Sequence, residues 1–241
     1  LPDEVLTKYQ EIDIVVVGEG EITMRELCDA MDSGRRVDYA SIAGLAFRND
    51  SGQIEKSPPR PLNMDLDSLP LPARDLLPLE KYGVQINMIT MKGIKATMIS
   101  SRGCPSYCTF CAAHIVTGRV YRPRSTESVV DEMEYLVRKY NTKFIQFYDD
   151  TFTINYKRTV DVCNSIIKRG LKVKWFAHAR VNTVDEDLFR LMKRAGCTHV
   201  SFGIESGNQT ILNNIKKGTT LDQSRKAVRA SVRAGLKTSI T

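Results

Sequence analysis

The amino-acid sequence predicts an α/β fold built around a partial, TIM-like barrel of parallel strands. From Lys95 onward, segments with the pattern of buried strands alternate with segments of helical periodicity. This alternation is typical of βα units and a parallel sheet. Four complete units and the beginning of a fifth are present, so we expect a barrel-like sheet that is truncated within this sequence.

Each element of the barrel follows from its own spacing of apolar residues. Helices are bounded by capping residues, Ser125 or Thr126 in one case, and by glycines such as Gly170, Gly196 and Gly235. Strands are predicted at residues 96–101, 144–148, 173–177, 200–204 and from about 236, and helices at 129–140, 160–167, 185–195, 211–217 and 221–234.

The first sixty residues follow a different pattern. A hydrophobic strand at 12–17 precedes the run Gly18-Glu19-Gly20-Glu21 and then a helix, the order found in the last unit of a doubly wound, Rossmann-like fold. Residues 42–56 predict a β-hairpin with its turn at 49–52. Prolines between 58 and 78 exclude a regular helix or central strand. We therefore predict three regions: the end of a Rossmann-like domain plus a hairpin (1–57), a proline-rich linker (58–92) and the barrel core (93–241).

Composition narrows the class of protein. Of 241 residues, 42% are hydrophobic and 26% are charged, as in an ordinary globular protein. The longest aliphatic run, 12–17, is too short to span a membrane, and residues 1–10 lack a signal-peptide pattern. The net charge of +7 raises the question of nucleic-acid binding. However, Arg225, Arg229 and Arg233 form a helical stripe without aromatic residues between them, which favours a solvated face over RNA contact.

Three cysteines carry the strongest chemical signal. Cys104, Cys108 and Cys111 are spaced C-x3-C-x2-C, and thiolates are the ligands that hold iron–sulfur clusters or zinc. Three ligands leave one iron of a four-iron cubane open, whereas a structural site fills every position. A structural zinc loop and three unrelated core cysteines are the alternatives. The same residues favour a reducing cytoplasm over a disulfide framework.

With Phe110 just before the last cysteine, this loop resembles the signature of radical S-adenosylmethionine (SAM) enzymes. The resemblance implies that Cys104, Cys108 and Cys111 bind a [4Fe-4S] cluster, and that SAM chelates the fourth iron. It further implies one-electron cleavage of SAM to a 5′-deoxyadenosyl radical, which abstracts a substrate hydrogen. The barrel is then the radical SAM core, which appears in this family as a partial (βα)6 barrel.

The order of motifs along the chain resembles the cobalamin-binding radical SAM enzymes. The run Val-Val-Gly-Glu-Gly-Glu, a helix, a hairpin, the run Leu-Pro-Leu-Pro-Ala-Arg-Asp and the cysteine loop follow one another as in that group. The resemblance implies that residues 1–57 are the end of a cobalamin-binding domain, with Gly18 and Gly20 as secondary candidates for cobalamin contact. We therefore expect the sequence to be a fragment that begins inside one domain and lacks roughly the last quarter of the barrel.

The remaining candidate residues follow the strands, because active sites of βα folds lie at the carboxyl ends of their strands. Asp149 or Asp150 is expected to accept a hydrogen bond from the SAM amine, although the family's Gly-Gly-Glu motif is replaced here by Tyr-Asp-Asp. Glu205, in Gly-Ile-Glu-Ser-Gly, resembles the family's ribose motif. Arg180 suits the methionyl carboxylate, with Ser206 as the weaker candidate, and Phe110 is expected beside the adenine.

Each assignment has a structural alternative. Asp149 or Asp150 is equally suited to capping the helix that follows, and His178 and Arg180 to being ordinary polar groups of the rim. His114 is expected in a solvated loop. The other three cysteines are predicted to be small core residues: Cys28, Cys163 and Cys197.

The resulting hypothesis is an enzyme of the cobalamin-dependent radical SAM type that transfers a methyl group to carbon or forms a ring. It would act on a small molecule of unknown identity in the cytoplasm, with an electron donor such as flavodoxin or ferredoxin. No residue is assigned a catalytic role beyond cofactor binding, and neither a membrane nor a nucleic acid is expected as a partner. The alternatives are an RNA-modifying, methylthiotransferase-like enzyme and a zinc or iron–sulfur binding module without catalysis.

Overall fold

A computed structural model describes residues 1–81, 85–86, 89–90 and 95–241. The described residues form two compact units, one of residues 1–64 with 112–118 and the other of residues 65–111 with 119–241. The predicted boundaries at residues 57 and 92 stay predictions, and the second of them falls outside the described residues.

The helices and strands alternate along the chain as predicted for the barrel region. In chain order the elements are α1 (Pro2–Lys8), β1 (Ile14–Val16), α2 (Glu21–Asp32), β2 (Leu45–Arg48), β3 (Ile54–Lys56), β4 (Gln85–Ile86), β5 (Ile89–Thr90), β6 (Lys95–Met98), β7 (Ser101–Arg102), α3 (Ala113–Val116), β8 (Arg122–Pro123), α4 (Thr126–Tyr140), β9 (Phe144–Phe147), α5 (Tyr156–Lys168), β10 (Lys174–Ala179), α6 (Glu186–Arg194), β11 (Cys197–Phe202), α7 (Gln209–Asn214), α8 (Leu221–Arg233) and β12 (Lys237–Ile240).

The larger unit contains a five-stranded sheet in the order β12-β11-β10-β9-β6. Every neighbouring pair is parallel, and one or more helices connect each strand to the next. Spatial order therefore follows chain order, as in a (βα) barrel. This confirms the predicted α/β fold with a partial parallel barrel, and it brings the carboxyl ends of all five strands to one edge.

The core of this unit lies between the sheet and its helices. Met133 and Leu136 of α4 are fully buried, as their helical spacing predicts. Trp175 of β10 packs edge-on against Phe147 with ring centroids 5.7 Å apart, and its indole nitrogen donates to the carbonyl of Ala195 at 2.8 Å. The buried polar end of this large side chain is thereby satisfied.

The predicted helix ends are confirmed in two cases. Ser125 is the N-cap of α4, and its hydroxyl accepts from the backbone N–H of Ser128 at 3.1 Å. Gly196 follows α6 with φ of +97°, and an added Cβ there would lie 2.4 Å from the carbonyl oxygen of Val173. Both the backbone conformation and the lack of space require glycine at this position.

The smaller unit contains an antiparallel sheet in the order β1-β2-β3. The hairpin of β2 and β3 is confirmed, and the Asn49 side chain accepts from the N–H groups of Ser51 and Gln53 to close its turn. The order of strand, glycine turn and helix also holds, since β1 precedes Gly18 and α2. Among the described residues β1 pairs antiparallel with β2, so its place in a doubly wound sheet stays a prediction.

The proline-rich segment has no regular helix or strand between residues 58 and 78, apart from short 3-10 turns at Leu66–Ser68 and Arg74–Leu76. Arg74, from the Leu-Pro-Ala-Arg-Asp run, is buried in the larger unit. Its guanidinium forms an ion pair with Glu132 of α4 at 2.6 Å and donates to the carbonyl of Thr97 on β6 at 2.8 Å. This arginine fixes part of the segment beside the first strand of the parallel sheet.

Candidate functional site

The predicted site residues of the larger unit lie along the carboxyl edge of the parallel sheet. The cysteine loop follows β6, the two aspartates follow β9, Arg180 follows β10 and Glu205 follows β11. Because these four strands are consecutive neighbours, their ends meet at one rim. Direct contacts join several of the side chains, so the residues are brought together in space.

The cysteine loop is held by contacts to its backbone. Gly103, with φ of +83°, precedes Cys104, and the N–H of Thr109 donates to the carbonyl of Ile215 at 3.0 Å. The guanidinium of Arg119 donates to the carbonyl of Ser106 and lies over the ring of Tyr107. These contacts fix both halves of the loop between the first and last cysteine.

The donor chemistry of the loop fits an iron–sulfur cluster. Cys108 is buried, while Cys104 and Cys111 are partly exposed. Within the described ranges no three histidine, cysteine or acidic side chains converge on a single metal position. The ligand set nevertheless consists of three soft thiols within eight residues, which suits iron and sulfide better than a hard cation.

Asp149 is a structural support beneath this loop. Its side chain is buried and accepts three hydrogen bonds, from the backbone N–H of Ser100 at 2.7 Å and from the hydroxyls of Ser100 and Ser101 at 2.6 and 2.5 Å. Burial raises the pKa of Asp149 above its ordinary value, against the lowering effect of these hydrogen bonds. The carboxylate therefore ties the end of β9 to the segment that leads into the cysteines.

Asp150 faces the loop from the exposed side. Its carboxylate accepts from the backbone N–H of Gly103, the residue before Cys104, at 3.1 Å. The suggestion that one of the aspartates caps the next helix is wrong, because the N-cap of α5 is Asn155, whose side chain accepts from the N–H of Arg158. The two adjacent aspartates thus have different surroundings, and Asp150 is the one that remains accessible beside the loop.

Arg180 contacts both the cysteine loop and the segment after α7. One guanidinium nitrogen lies 3.8 Å from the sulfur of Cys108, and another donates to the backbone carbonyl of Lys217. A cationic donor beside a cysteine sulfur suits a thiolate. Arg180 thus joins the cysteine loop to the segment after α7, and its role in binding SAM stays a prediction.

Glu205 lies just after the end of β11, and its side chain is 27% exposed. Its carboxylate forms an ion pair with the ammonium group of Lys217 at 2.9 Å. The Lys217 nitrogen also lies 5.5 Å from the centre of the Phe110 ring. Ser206, the next residue, accepts from the N–H of Asn208 at 3.1 Å and shapes the turn before α7.

The remaining candidates lie apart from these contacts. His178 packs edge-on against Phe176, and burial lowers its pKa below the ordinary value. His114 is exposed as expected, but it lies on the short helix α3 and not in a loop. In the smaller unit, Gly18 has φ of +85°, and Gly20 is the N-cap of α2.

Two of the three cysteines outside the loop are core residues, and one is not. Cys163 and Cys197 are buried, and burial raises the pKa of the Cys163 thiol to about 12. The prediction for Cys28 is wrong, because its side chain is exposed on α2. Only Thr23 and Leu27 of that helix are buried, so its inward face is narrower than the apolar spacing suggested.

Sequence reasoning missed two residues of the rim, Lys217 and Gly203. An added Cβ at Gly203 would lie 2.5 Å from a carboxylate oxygen of Glu205 and 3.0 Å from the Lys217 nitrogen, so this glycine makes room for the ion pair. Lys217 belongs neither to the cysteine motif nor to a predicted strand end, which were the two sources of candidate residues. The available signal in the sequence was Gly218, the residue directly after Lys217. Its φ is +68°, and it forms the tight turn after α7 that directs the lysine inward.

A family model for the radical SAM superfamily matches residues 98–241. The chain belongs to the radical SAM superfamily. This match confirms the family that the cysteine loop resembles, whose members use a [4Fe-4S] cluster and SAM. Alignments with curated relatives extend over nearly the whole chain, well beyond the matched domain.

Two of these relatives are enzymes by name. An uncharacterized methyltransferase from Pyrococcus horikoshii is 40% identical over 238 residues, which cover 98% of this chain and 49% of the relative. An anaerobic magnesium-protoporphyrin IX monomethyl ester cyclase from Rubrivivax gelatinosus is 36% identical over 228 residues, 93% of this chain and 40% of the relative. The chain thus spans half or less of the length of these two relatives.

Two solved structures share the fold over 99% of this chain. The cobalamin-dependent SAM radical enzyme OxsB, with aqua-cobalamin and SAM bound, has a TM-score of 0.82 at 24% identity, over 34% of its length. The radical SAM methyltransferase TsrM from Kitasatospora setae, with tryptophan and a SAM analogue bound, has a TM-score of 0.78 at 21% identity, over 47% of its length. At these identities the likeness concerns the fold, and it agrees with the predicted α/β fold with a partial parallel barrel.

No helix within the described ranges combines the length and the apolar character that crossing a membrane requires.

Proposed function

We propose that this chain is the cofactor-binding part of a radical SAM enzyme, and that Cys104, Cys108 and Cys111 hold its [4Fe-4S] cluster. When bound, the cluster and SAM together supply a 5′-deoxyadenosyl radical for hydrogen abstraction. The observation that carries the proposal is the rim itself, where a buried cysteine, Arg180 and Glu205 follow three strands of one parallel sheet and are connected through Lys217.

The side chains of the rim divide the binding of SAM among them. Arg180, which lies beside Cys108, would pair with the methionyl carboxylate near the cluster. Asp150 would accept from the amine, since Asp149 is buried and already accepts three hydrogen bonds. Glu205 would accept from the ribose hydroxyls, and the exposed ring of Phe110 would lie beside the adenine. Ser206 is less suited to bind SAM, because its hydroxyl already accepts from Asn208.

We further propose that the whole protein binds cobalamin and transfers a methyl group to carbon in a small molecule, with ring formation as the other outcome. The strand, glycine turn and helix of the smaller unit support a cobalamin domain, and so does the likeness to OxsB, which binds aqua-cobalamin. A cavity of about 410 Å³ in this unit is lined by residues that include Gly18, Glu19 and Arg60. The 40% identical methyltransferase and the 36% identical cyclase support the two reaction outcomes.

The proposed chemistry requires an electron donor and a reducing compartment. Reduction of the cluster needs a low-potential donor, for which a flavodoxin or a ferredoxin is suitable. Three thiolate ligands also require a reducing compartment, so we place the protein in the cytoplasm. The alternatives of methylthiotransferase and non-catalytic metal module are less favoured, since the more similar relatives are named as a methyltransferase and a cyclase.

Anaerobic reconstitution of the full-length protein with iron and sulfide tests the cluster assignment. About four irons per chain are expected, as one cubane requires, with loss of bound iron when Cys104, Cys108 or Cys111 is replaced by alanine. Cys28→Ala is the matched control, because Cys28 is an exposed cysteine outside the loop. Zinc in place of iron, or undiminished iron in all three loop variants, would contradict the assignment.

Addition of SAM and dithionite to the same protein tests the reaction class. Formation of 5′-deoxyadenosine or S-adenosylhomocysteine is expected. Co-elution of added aquacobalamin with the full-length protein, followed by its visible absorbance, tests the cobalamin proposal separately. A protein that holds the cluster but neither cleaves SAM nor transfers its methyl group would contradict the proposed function.

A further inference from the structure

We propose that Lys217 is a positioning residue for SAM, which holds Glu205 and Phe110 in the arrangement that receives the adenosine half of the cofactor. The inference rests on the proposed function of the rim. It concerns a lysine that neither the cysteine motif nor the expected ribose motif contains.

The first support is the contact geometry of the lysine. Its ammonium group lies 2.9 Å from Oε1 of Glu205 and 5.5 Å from the centre of the Phe110 ring. The lysine side chain is only 9% exposed, whereas the Phe110 residue is 53% exposed. The ammonium group thus has little contact with water and two electronegative partners, a carboxylate and the face of an aromatic ring. It therefore connects the end of β11 with the cysteine loop.

The second support is the space reserved for this ion pair. Gly203 lies two residues before Glu205, and an added Cβ would approach Oε1 to 2.5 Å and the lysine nitrogen to 3.0 Å. The φ angle of Gly203 is not in the left-handed region, so its backbone conformation alone does not call for glycine. A side chain at this position would displace the ends of both members of the pair from their present positions.

The third support is the way in which the backbone of Lys217 is fixed. Its carbonyl accepts from Arg180, whose other nitrogen lies beside Cys108, and its N–H donates to the carbonyl of Leu212. Two residues earlier, the carbonyl of Ile215 accepts from Thr109 in the cysteine loop. The lysine is thus fixed relative to the sulfur ligands from which SAM would extend.

These contacts assign different tasks to the two carboxylate oxygens of Glu205. Lys217 holds Oε1 at 2.9 Å, which fixes the rotamer of the carboxylate. We assign Oε2 to the ribose hydroxyls. The same lysine limits the position of the Phe110 ring. Glu205 and Phe110 would therefore be held in position for the ribose and the adenine before SAM binds.

The test compares two adjacent lysines in the full-length, anaerobically reconstituted protein. Lys217→Met removes the buried ammonium group, and Lys216→Met removes an exposed one at the preceding position. We expect Lys217→Met to weaken SAM binding by about tenfold or more, the effect of losing a charged hydrogen bond, with iron content unchanged. Lys216→Met should bind SAM as the unmodified protein does, and Lys217→Arg should recover part of the affinity.

Two further measurements separate positioning from general stability. Binding of 5′-methylthioadenosine, which contains the ribose and the base, should weaken in Lys217→Met, whereas binding of methionine to the cluster should not. When Lys217→Met is added to a Glu205→Gln variant, SAM binding should weaken little further, because the lysine acts through that carboxylate.

The outcomes distinguish this inference from the proposed function. If the unmodified protein forms the cluster but does not bind SAM, the proposed function is wrong. If it binds SAM and Lys217→Met binds equally well, the role of Lys217 is wrong and the function stands. Loss of iron in Lys217→Met without recovery in Lys217→Arg, or equal weakening of methionine and 5′-methylthioadenosine, would also overturn the positioning role.

Discussion

The cysteine loop is supported from two sides by different chemistry. Between β6 and β9, the buried carboxylate of Asp149 accepts from a backbone N–H and two serine hydroxyls. Beside β10 and β11, Arg180, Lys217 and Glu205 form a charged network that is partly open to solvent. On the Asp149 side, the polar groups form hydrogen bonds with one another and fix the backbone that leads into the loop. The second side presents charges to a ligand, so we expect substitutions on the two sides to affect different measurements.

The largest effect is expected on the buried side. Asp149→Ala leaves three donors without their acceptor, and all three belong to Ser100 and Ser101, which are almost completely buried. The free energy of unfolding should fall by about 3 kcal/mol, and less iron should be incorporated because the loop loses its support. Urea-induced unfolding of the full-length protein measures the change. Asp150→Ala, at the exposed neighbour, should cost less than about 1 kcal/mol, and an equal loss in both variants would remove the distinction between the two sides.

Substitutions on the charged side, beside β10 and β11, are expected to change SAM binding instead of stability. Gly203→Ala places a Cβ against the Glu205–Lys217 pair and should weaken SAM binding by about tenfold while iron content stays the same. Titration of the reconstituted protein with SAM measures this. Gly207→Ala, in the same Gly-Ile-Glu-Ser-Gly run, is the control, because a Cβ there meets no atom within 4 Å. Similar affinities in the two variants would contradict the account of the pair.

The smallest effect is expected in the pH dependence of stability. Burial raises the folded-state pKa of Asp149, so between the unfolded value of about 3.9 and the folded value the native state binds more protons than the unfolded state. The contribution of this group is therefore full below the unfolded pKa and is lost as pH rises through the folded pKa. Relative to Asp149→Asn, the unmodified protein should lose stability as pH rises through this window. Urea-induced unfolding at several pH values measures the difference, and an opposite slope would indicate a lowered pKa.

The comparison also shows which features could be predicted from sequence. Strand and helix periodicity is local, and parallel βα order alone places all strand ends at one rim, so the fold and the gathering of Cys108, Arg180 and Glu205 were predictable. The different surroundings of Asp149 and Asp150 were not. They depend on the alignment of β9 with Ser100 and Ser101, which lie in another part of the chain.

Lys217 and Cys28 illustrate the same limit. Lys217 lies in no motif and at no predicted strand end, and only the approach of Glu205 and Phe110 in three dimensions gives it partners. Apolar spacing alone placed Cys28 in a core, but the small sheet of β1, β2 and β3 covers less of α2 than that spacing implies. In both cases the missing information was the shape of the neighbouring element.

The central claim is that the thiols of the loop and the charged side of the rim form one cofactor site. It is tested most directly by the electron paramagnetic resonance spectrum of the reduced, reconstituted full-length protein, recorded as SAM is added. The account predicts a SAM-dependent change of the cluster signal in the unmodified protein, and the same change at higher SAM concentration in Glu205→Gln. A cluster signal that stays unchanged at saturating SAM would contradict it.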